Sequence, residues 1–131
     1  MILVDTTIWI DYFRDRPSPH ADRVDKALED QEVLAISGLV LTEILQGVRS
    51  ETEAKKVMMA LRPLRYLSLN RHDYLLAAAL YRKARSQGQV IRKTNDCLIA
   101  ACAISYGAAI LTTDGDFGKI AAVSPLKLVQ V

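Results

Sequence analysis

The stretch Ile2–Phe13, ILVDTTIWIDYF, decides how the rest of the chain reads. Ile2, Leu3 and Val4 are apolar without alternation, the pattern of a strand buried on both faces. Asp5-Thr6-Thr7 then supplies helix N-cap chemistry, and the amphipathic run Thr7 to Arg14 reads as a helix. A strand covered on both faces that passes directly into a helix is the unit of a parallel sheet sandwiched between helices.

The same alternation continues outward. After the loop Pro17-Ser18-Pro19, Ser18 to Asp30 reads as a second helix with Ala21, Val24, Ala27 and Leu28 on its inner face. Val33 to Ile36 reads as the next strand, and Ser37 caps a helix running through Val48 that Gly47 weakens near its end. Glu51 to Leu61 is helical and is stopped by Pro63. Tyr66 to Leu69 reads as a strand. Asn70 opens the longest helix, about Asp73 to Ser86, which Gly88 ends; Thr94 to Tyr106 is a further helix, ended by Gly107. Ala109 to Leu111 is a strand, followed by a polar turn Thr112–Asp116, one helical turn Phe117–Ile120 and a last strand Leu126–Val129. The expectation is one α/β domain over residues 1–131, a short parallel sheet flanked by helices, with its site where strand ends enter helices.

Composition narrows the function. The 131 residues are 50% hydrophobic and 24% charged, which is ordinary for a globular chain and excludes disorder. The formal net charge of +2 permits an anionic partner without requiring one. Cys97 and Cys102, the only two cysteines, fall in one helical segment and predict free thiols rather than a disulfide. The two histidines, His20 and His72, offer no zinc cluster. Asp5 interrupts the apolar start, no basic residues precede it, and no apolar run is long enough for a bilayer. The expectation is a soluble, cytoplasmic protein with no membrane contact.

The chemistry lies in the acids. Asp5 directly follows the first strand, and Asp114 follows the Ala109–Leu111 strand after two threonines. Glu43 lies in the opening turns of the helix after Val33–Ile36, among apolar neighbours. Asp96 lies in the first turn of the Thr94–Tyr106 helix, and Asp116 stands close by. Singly, Asp5 and Asp114 read as N-caps, Asp96 as a charge at a helix N-terminus and Asp116 as a turn residue. Those readings do not explain why all gather at one predicted edge. Carboxylates clustered without lysine or arginine ionise reluctantly, and a hard divalent ion such as Mg2+ or Mn2+ resolves the repulsion. Thr6 or Thr7 beside Asp5, Thr94 before Asp96 and Thr112 before Asp114 are candidates to orient them, and Thr7 and Thr112 are expected to do so.

Four segments together carry a family resemblance: ILVDTTIWIDYF, LVLTEILQGVRS (Leu39–Ser50), VIRKTNDCLIAACAISYG (Val90–Gly107) and ILTTDGDFGKIA (Ile110–Ala121). In order and spacing the chain resembles a PIN domain of the VapC-type toxins. The resemblance implies a parallel sheet flanked by helices, Mg2+ or Mn2+ dependence, and endonucleolytic cleavage of RNA. It carries metal-site and catalytic roles onto Asp5, Glu43, Asp96 and Asp114, with Asp116 as an auxiliary metal acid. It also implies the role of toxin to a cognate antitoxin, and a homodimer.

RNA needs counter-charge near such a site. Arg92 and Lys93 directly precede Thr94-Asn95-Asp96 and are the rim cations expected to bind RNA, with Arg14, Arg16 and Arg49 as further candidates. Trp9, Ile10, Tyr12 and Phe13 crowd one helix that cannot bury all of them on one side, so this face is expected to meet the antitoxin. Two other classes compete. A catalytically silent module that only binds RNA or protein would be favoured by a missing acid, and none is missing. A phosphatase using Asp5 as nucleophile expects a second Asp two residues on, where Thr7 stands.

Overall fold

In the computed structural model, which describes residues 1–131, five strands form one parallel sheet in the order β3-β2-β1-β4-β5. β1 (Ile2–Val4) lies at its centre, paired with β2 (Leu34–Ser37) on one side and β4 (Ala109–Leu111) on the other. β3 (Arg65–Leu67) and β5 (Lys127–Leu128) are the edges. The central strands are buried on both faces, as their unbroken apolar runs require.

The chain moves from β1 to β2 to β3 in one direction, then jumps back past β1 to β4 and β5. Right-handed crossovers therefore place α1 (Thr6–Phe13), α2 (Pro19–Glu29), α3 (Gly38–Gln46) and α4 (Glu51–Leu61) on one face. α5 (Arg71–Ser86), α6 (Thr94–Tyr106) and α7 (Gly115–Ala121) cover the other. Packing follows this division: α1 meets α2 and α3, and α5, α6 and α7 meet one another. α3 also meets α6. The strand order reverses between β1 and β4, and the crevice at the carboxyl ends there is the natural binding place of such a sheet.

Local chemistry sets the helix ends. Asp5, Ser18, Ser37, Ser50, Asn70 and Asp114 each accept a backbone N–H at a helix start. Gly107 ends α6 in the left-handed region at φ 67°, where a side chain would be strained. Cys97 and Cys102 are buried free thiols, as expected.

Several elements differ in their bounds from the reading of the sequence; β5, for one, covers only Lys127–Leu128 of the expected Leu126–Val129. β2 begins at Leu34, which leaves Val33 before the strand and 48% exposed, and Leu28, near the end of α2, is 50% exposed, off the buried face formed by Ala21, Val24 and Ala27. β3 ends at Leu67, since Leu69 has no strand partner beyond Ser37. The helix after Asp114 is longer than one turn: it begins at Gly115, with Asp114 as its N-cap, and places Asp116 in its first turn.

Candidate active site

Asp5 and Asp114 stand at the carboxyl ends of β1 and β4, on either side of the switch point. The Asp5 amide donates to the Leu111 carbonyl at 3.0 Å, which ties the two strand ends together. The Asp5 carboxylate accepts the Thr6 amide on Oδ1 and the Thr112 hydroxyl on Oδ2, both at 2.8 Å. The Asp114 amide in turn donates to Thr112 Oγ1 at 3.0 Å. Thr112 therefore couples the two acids, using its hydroxyl as donor to one and acceptor from the backbone of the other.

Glu43 and Asp96 arrive on the helices that meet here, α3 and α6. Glu43 Oε1 and Asp96 Oδ2 are buried oxygens without a hydrogen-bond partner. Such groups are costly in a folded protein unless a further partner satisfies them, and between carboxylates a cation is suited to do so. Thr6 is buried against the same place. It lies close enough to lower the pKa of Glu43, yet Thr6 Oγ1 also lacks a hydrogen bond of good geometry.

The charges interact as a cluster. Burial pushes the Asp96 carboxyl up to about 6, and the nearby charges of Asp114 and Asp5 add to the effect. Burial raises Asp5 as well, against the opposing hydrogen bonds from Thr112 and Thr6. Glu43 is raised by burial and then by Asp5. Lys93 lowers all three, close enough to act through its charge without forming an ion pair.

Asp116 is different. Burial would raise it, but the Arg92 amide, Lys119 and the Arg92 guanidinium hold it down at about 2. Its Oδ2 accepts the Arg92 amide at 3.0 Å and Arg92 Nε at 3.2 Å, and its Oδ1 pairs with Lys119 Nζ at 3.0 Å. Arg92 Nη2 also reaches Asp114 Oδ1 at 3.3 Å. One oxygen from each of Asp96, Asp114 and Asp116 lies within 4.8 Å of the others.

The acids named from the sequence thus come together: Asp5, Glu43, Asp96, Asp114 and Asp116 share one edge of the sheet. Other expectations need correction. The cluster is not free of cations, because Arg92 and Lys119 pair with Asp114 and Asp116. Thr7 is exposed and makes no side-chain hydrogen bond to an acid; the threonines at the site are Thr6 and Thr112. One residue along a helix turns a side chain by about 100°, and the N-cap position of Asp5 assigns the inward face to Thr6. Arg16 pairs with Asp11 at 3.3 Å instead of the site. Trp9 is buried, only 3% exposed, stacked on Phe13 and edge-on to Tyr12, so it belongs to the core rather than to an interface. Ile10, Tyr12 and Phe13 remain partly exposed.

Lys119 was missed by the sequence reading. Its signal was the spacing of Asp116 and Lys119 at i,i+3, which is legible only if the helix starts before Asp116. Asp73 was missed too. Its carboxylate closes a capping box with Asn70 and accepts the Ser105 hydroxyl, which fastens α5 to α6 away from the acids.

The PIN domain family model matches residues 2–123. The chain belongs to the PIN-domain family. Ribonuclease VapC11 of Mycobacterium tuberculosis is 36% identical over 129 residues, covering 97% of this chain and 96% of that protein. Among solved structures, VapBC2 from Rickettsia felis, bound to a DNA fragment from its promoter, aligns with a TM-score of 0.78 at 20% identity, over 98% of both chains. VapBC-1 from nontypeable Haemophilus influenzae aligns with the same TM-score of 0.78 at 24% identity, over 99% of this chain and 98% of that one. These two likenesses establish the fold of the PIN domain.

Proposed function

We propose that this PIN domain is a Mg2+- or Mn2+-dependent endoribonuclease, and that it acts as the toxin of a toxin-antitoxin pair. The observation that carries the reading is a pair of buried, unpartnered carboxylate oxygens, Glu43 Oε1 and Asp96 Oδ2, inside a group of acids at the sheet's switch point. The donor set is all carboxylate oxygen, which suits Mg2+ or Mn2+ and not a soft metal. Asp5, Glu43, Asp96 and Asp114 are the residues that would hold it. A bound divalent ion supplies activation of a water nucleophile and charge stabilisation at the phosphodiester.

The chain's own residues supply the rest. The Thr112 hydroxyl and the Thr6 amide orient the Asp5 carboxylate. Lys93 sits beside Asp5, Glu43 and Asp96 with its ammonium unpaired, and Arg92 is exposed next to it. These two cations attract the phosphate backbone and balance the acids that would otherwise repel it. The identity to named ribonucleases over nearly the whole chain supports RNA as the substrate. Total RNA incubated with the purified protein, in Mg2+, in Mn2+ and with chelator, tests the reading. New RNA ends that need the metal and vanish in Asp96→Asn are expected; cleavage that persists in chelator would overturn it.

The antitoxin reading rests on the surface of α1. Ile10 and Phe13 line an apolar groove with Ile44, Val48 and Val57, drawn from α1, α3, the turn after α3 and the middle of α4. Structurally similar proteins include a toxin-antitoxin complex from Klebsiella pneumoniae and a member of the VapBC family of toxin-antitoxin systems from Mycobacterium tuberculosis, which supports an antitoxin as its occupant. A homodimer is supported by a second surface near the β3 edge, where Met58, Tyr66 and Tyr74 are 46%, 57% and 54% exposed. Sedimentation of the free chain tests it, with a monomer at micromolar concentration as the contrary result. No helix is long and apolar enough to cross a membrane.

A further inference from the structure

We propose that Asp116 is not a metal ligand: it is a positioning residue that holds Arg92 and Lys119 as a cation pair for the RNA backbone. This rests on the ribonuclease reading and assigns roles within it. Distance alone would group Asp116 with Asp96 and Asp114 as three ligands for a cation. The occupancy of its oxygens argues otherwise. Both are committed to cations, Oδ2 to Arg92 and Oδ1 to Lys119, and the side chain is only 3% exposed. Glu43 and Asp96, by contrast, keep oxygens with no partner.

Charge divides the site in the same way. Asp114 and Asp116 face Arg92 and Lys119, two negative charges against two positive, so this half is neutral without a metal. Asp5, Glu43 and Asp96 form no ion pair, and Lys93 is the cation that lowers all three. A divalent ion gains most on that side, and Asp114, whose charge acts on Asp96, borders it.

The pairing also shapes the loop between α5 and α6, residues 87–93. Its backbone is pinned by the Arg92 amide on Asp116, by Lys119 Nζ on the Val90 carbonyl at 3.3 Å, and by Ile91 in the core. The Arg92 guanidinium uses Nε and Nη2 on the acids and leaves Nη1 without a protein partner, on a side chain that is 68% exposed. A guanidinium fixed at one edge and free at the other is suited to a phosphate.

The test uses the full chain, Mn2+ and a single-stranded RNA oligonucleotide, with RNA binding measured in chelator so that cleavage plays no part. Asp116→Asn keeps an acceptor for the Arg92 amide and removes the charge. Its Mn2+ affinity is expected within about twofold of the parent, while Asp96→Asn loses about tenfold or more. Arg92→Ala is expected to weaken RNA binding about tenfold in the parent but less than about threefold in the Asp116→Asn background. A tenfold loss of Mn2+ affinity in Asp116→Asn, or an equal effect of Arg92→Ala in both backgrounds, overturns the assignment alone. A parent that binds neither Mn2+ nor RNA overturns the assignment together with the reading beneath it. Should Asp116→Asn fail to fold, Lys119→Ala decides the point. It is expected to keep Mn2+ affinity within about twofold and to lessen the salt dependence of RNA binding. A gain of about tenfold in Mn2+ affinity would show that Lys119 had been withholding a ligand, and would overturn it.

Discussion

Asp96 concentrates the cost of the site in one side chain. It is 5% exposed, one oxygen has no partner, and burial with its acidic neighbours holds it at about 6. A carboxyl raised in the folded state binds its proton more tightly there than in the unfolded chain. Its contribution to stability is therefore full below the ordinary carboxyl value and is lost as pH rises through about 6. Asp5 and Glu43 are raised as well and act in the same direction. The metal-free protein is expected to lose stability between about pH 4 and pH 7, by on the order of 3 kcal/mol from Asp96. Asp96→Asn should flatten that loss in urea melts with chelator present. Mn2+ at neutral pH should raise the Tm of the parent and leave that of Asp96→Asn nearly unchanged. An undiminished pH dependence in Asp96→Asn would place its source in another residue.

The elements explain what the sequence could reveal and what it could not. The strand-acid-helix unit at Ile2–Phe13 was legible because an unbroken apolar run, an N-cap residue and a helical period coincide. The convergence of Asp5, Glu43, Asp96 and Asp114 followed from the sheet alone, since strand ends and helix starts share one edge. The partners of Asp116 did not follow, because they depend on where α7 begins and on a loop with no periodic pattern. Thr6 and Thr7 are neighbours of one chemical type, and only the cap geometry at Asp5 chooses between them. At α6, the cap position is occupied by Lys93, whose side chain makes no cap hydrogen bond. Lys93→Ala should therefore cost no cap, but it removes the cation that lowers Asp5, Glu43 and Asp96. In chelator it should lower stability at neutral pH and leave it nearly unchanged below about pH 4, where those acids are protonated. It should lower the salt slope of RNA binding by about 0.7, the value of one phosphate contact on a single strand. An unchanged slope would remove Lys93 from the RNA surface. α5 offers a structural counterpart. Asp73 closes its capping box and joins it to Ser105 of α6, so Asp73→Ala should cost about 2 kcal/mol in urea melts while metal affinity holds. A neutral result would mean that the two helices pack without it.

At the scale of the molecule, the acids and the α1 groove are two ends of one arrangement. α1 is capped by Asp5 and finishes at Phe13, so a single helix connects the site to the apolar surface. Trp9 stands between them and is buried, packed on the Phe13 and Tyr12 rings. Its removal should damage the fold, by about 3–5 kcal/mol for Trp9→Ala, whatever its effect on a partner. Phe13 is partly exposed and lines the groove, so its truncation removes contact area without hollowing the centre of the core. If an antitoxin segment lies there, Phe13→Ala should weaken the complex by about tenfold or more, as loss of an aromatic anchor does. The segment should also protect Ile8 to Arg14 and the facing residues of α3 from hydrogen exchange. An eight-residue helix rises about 12 Å, so a basic side chain from such a segment can reach the carboxylates around Asp5. Complex formation should then compete with Mn2+ as well as with RNA. A stable complex with no added protection over Ile8 to Arg14, and with Phe13→Ala binding as the parent does, would put the antitoxin on another face.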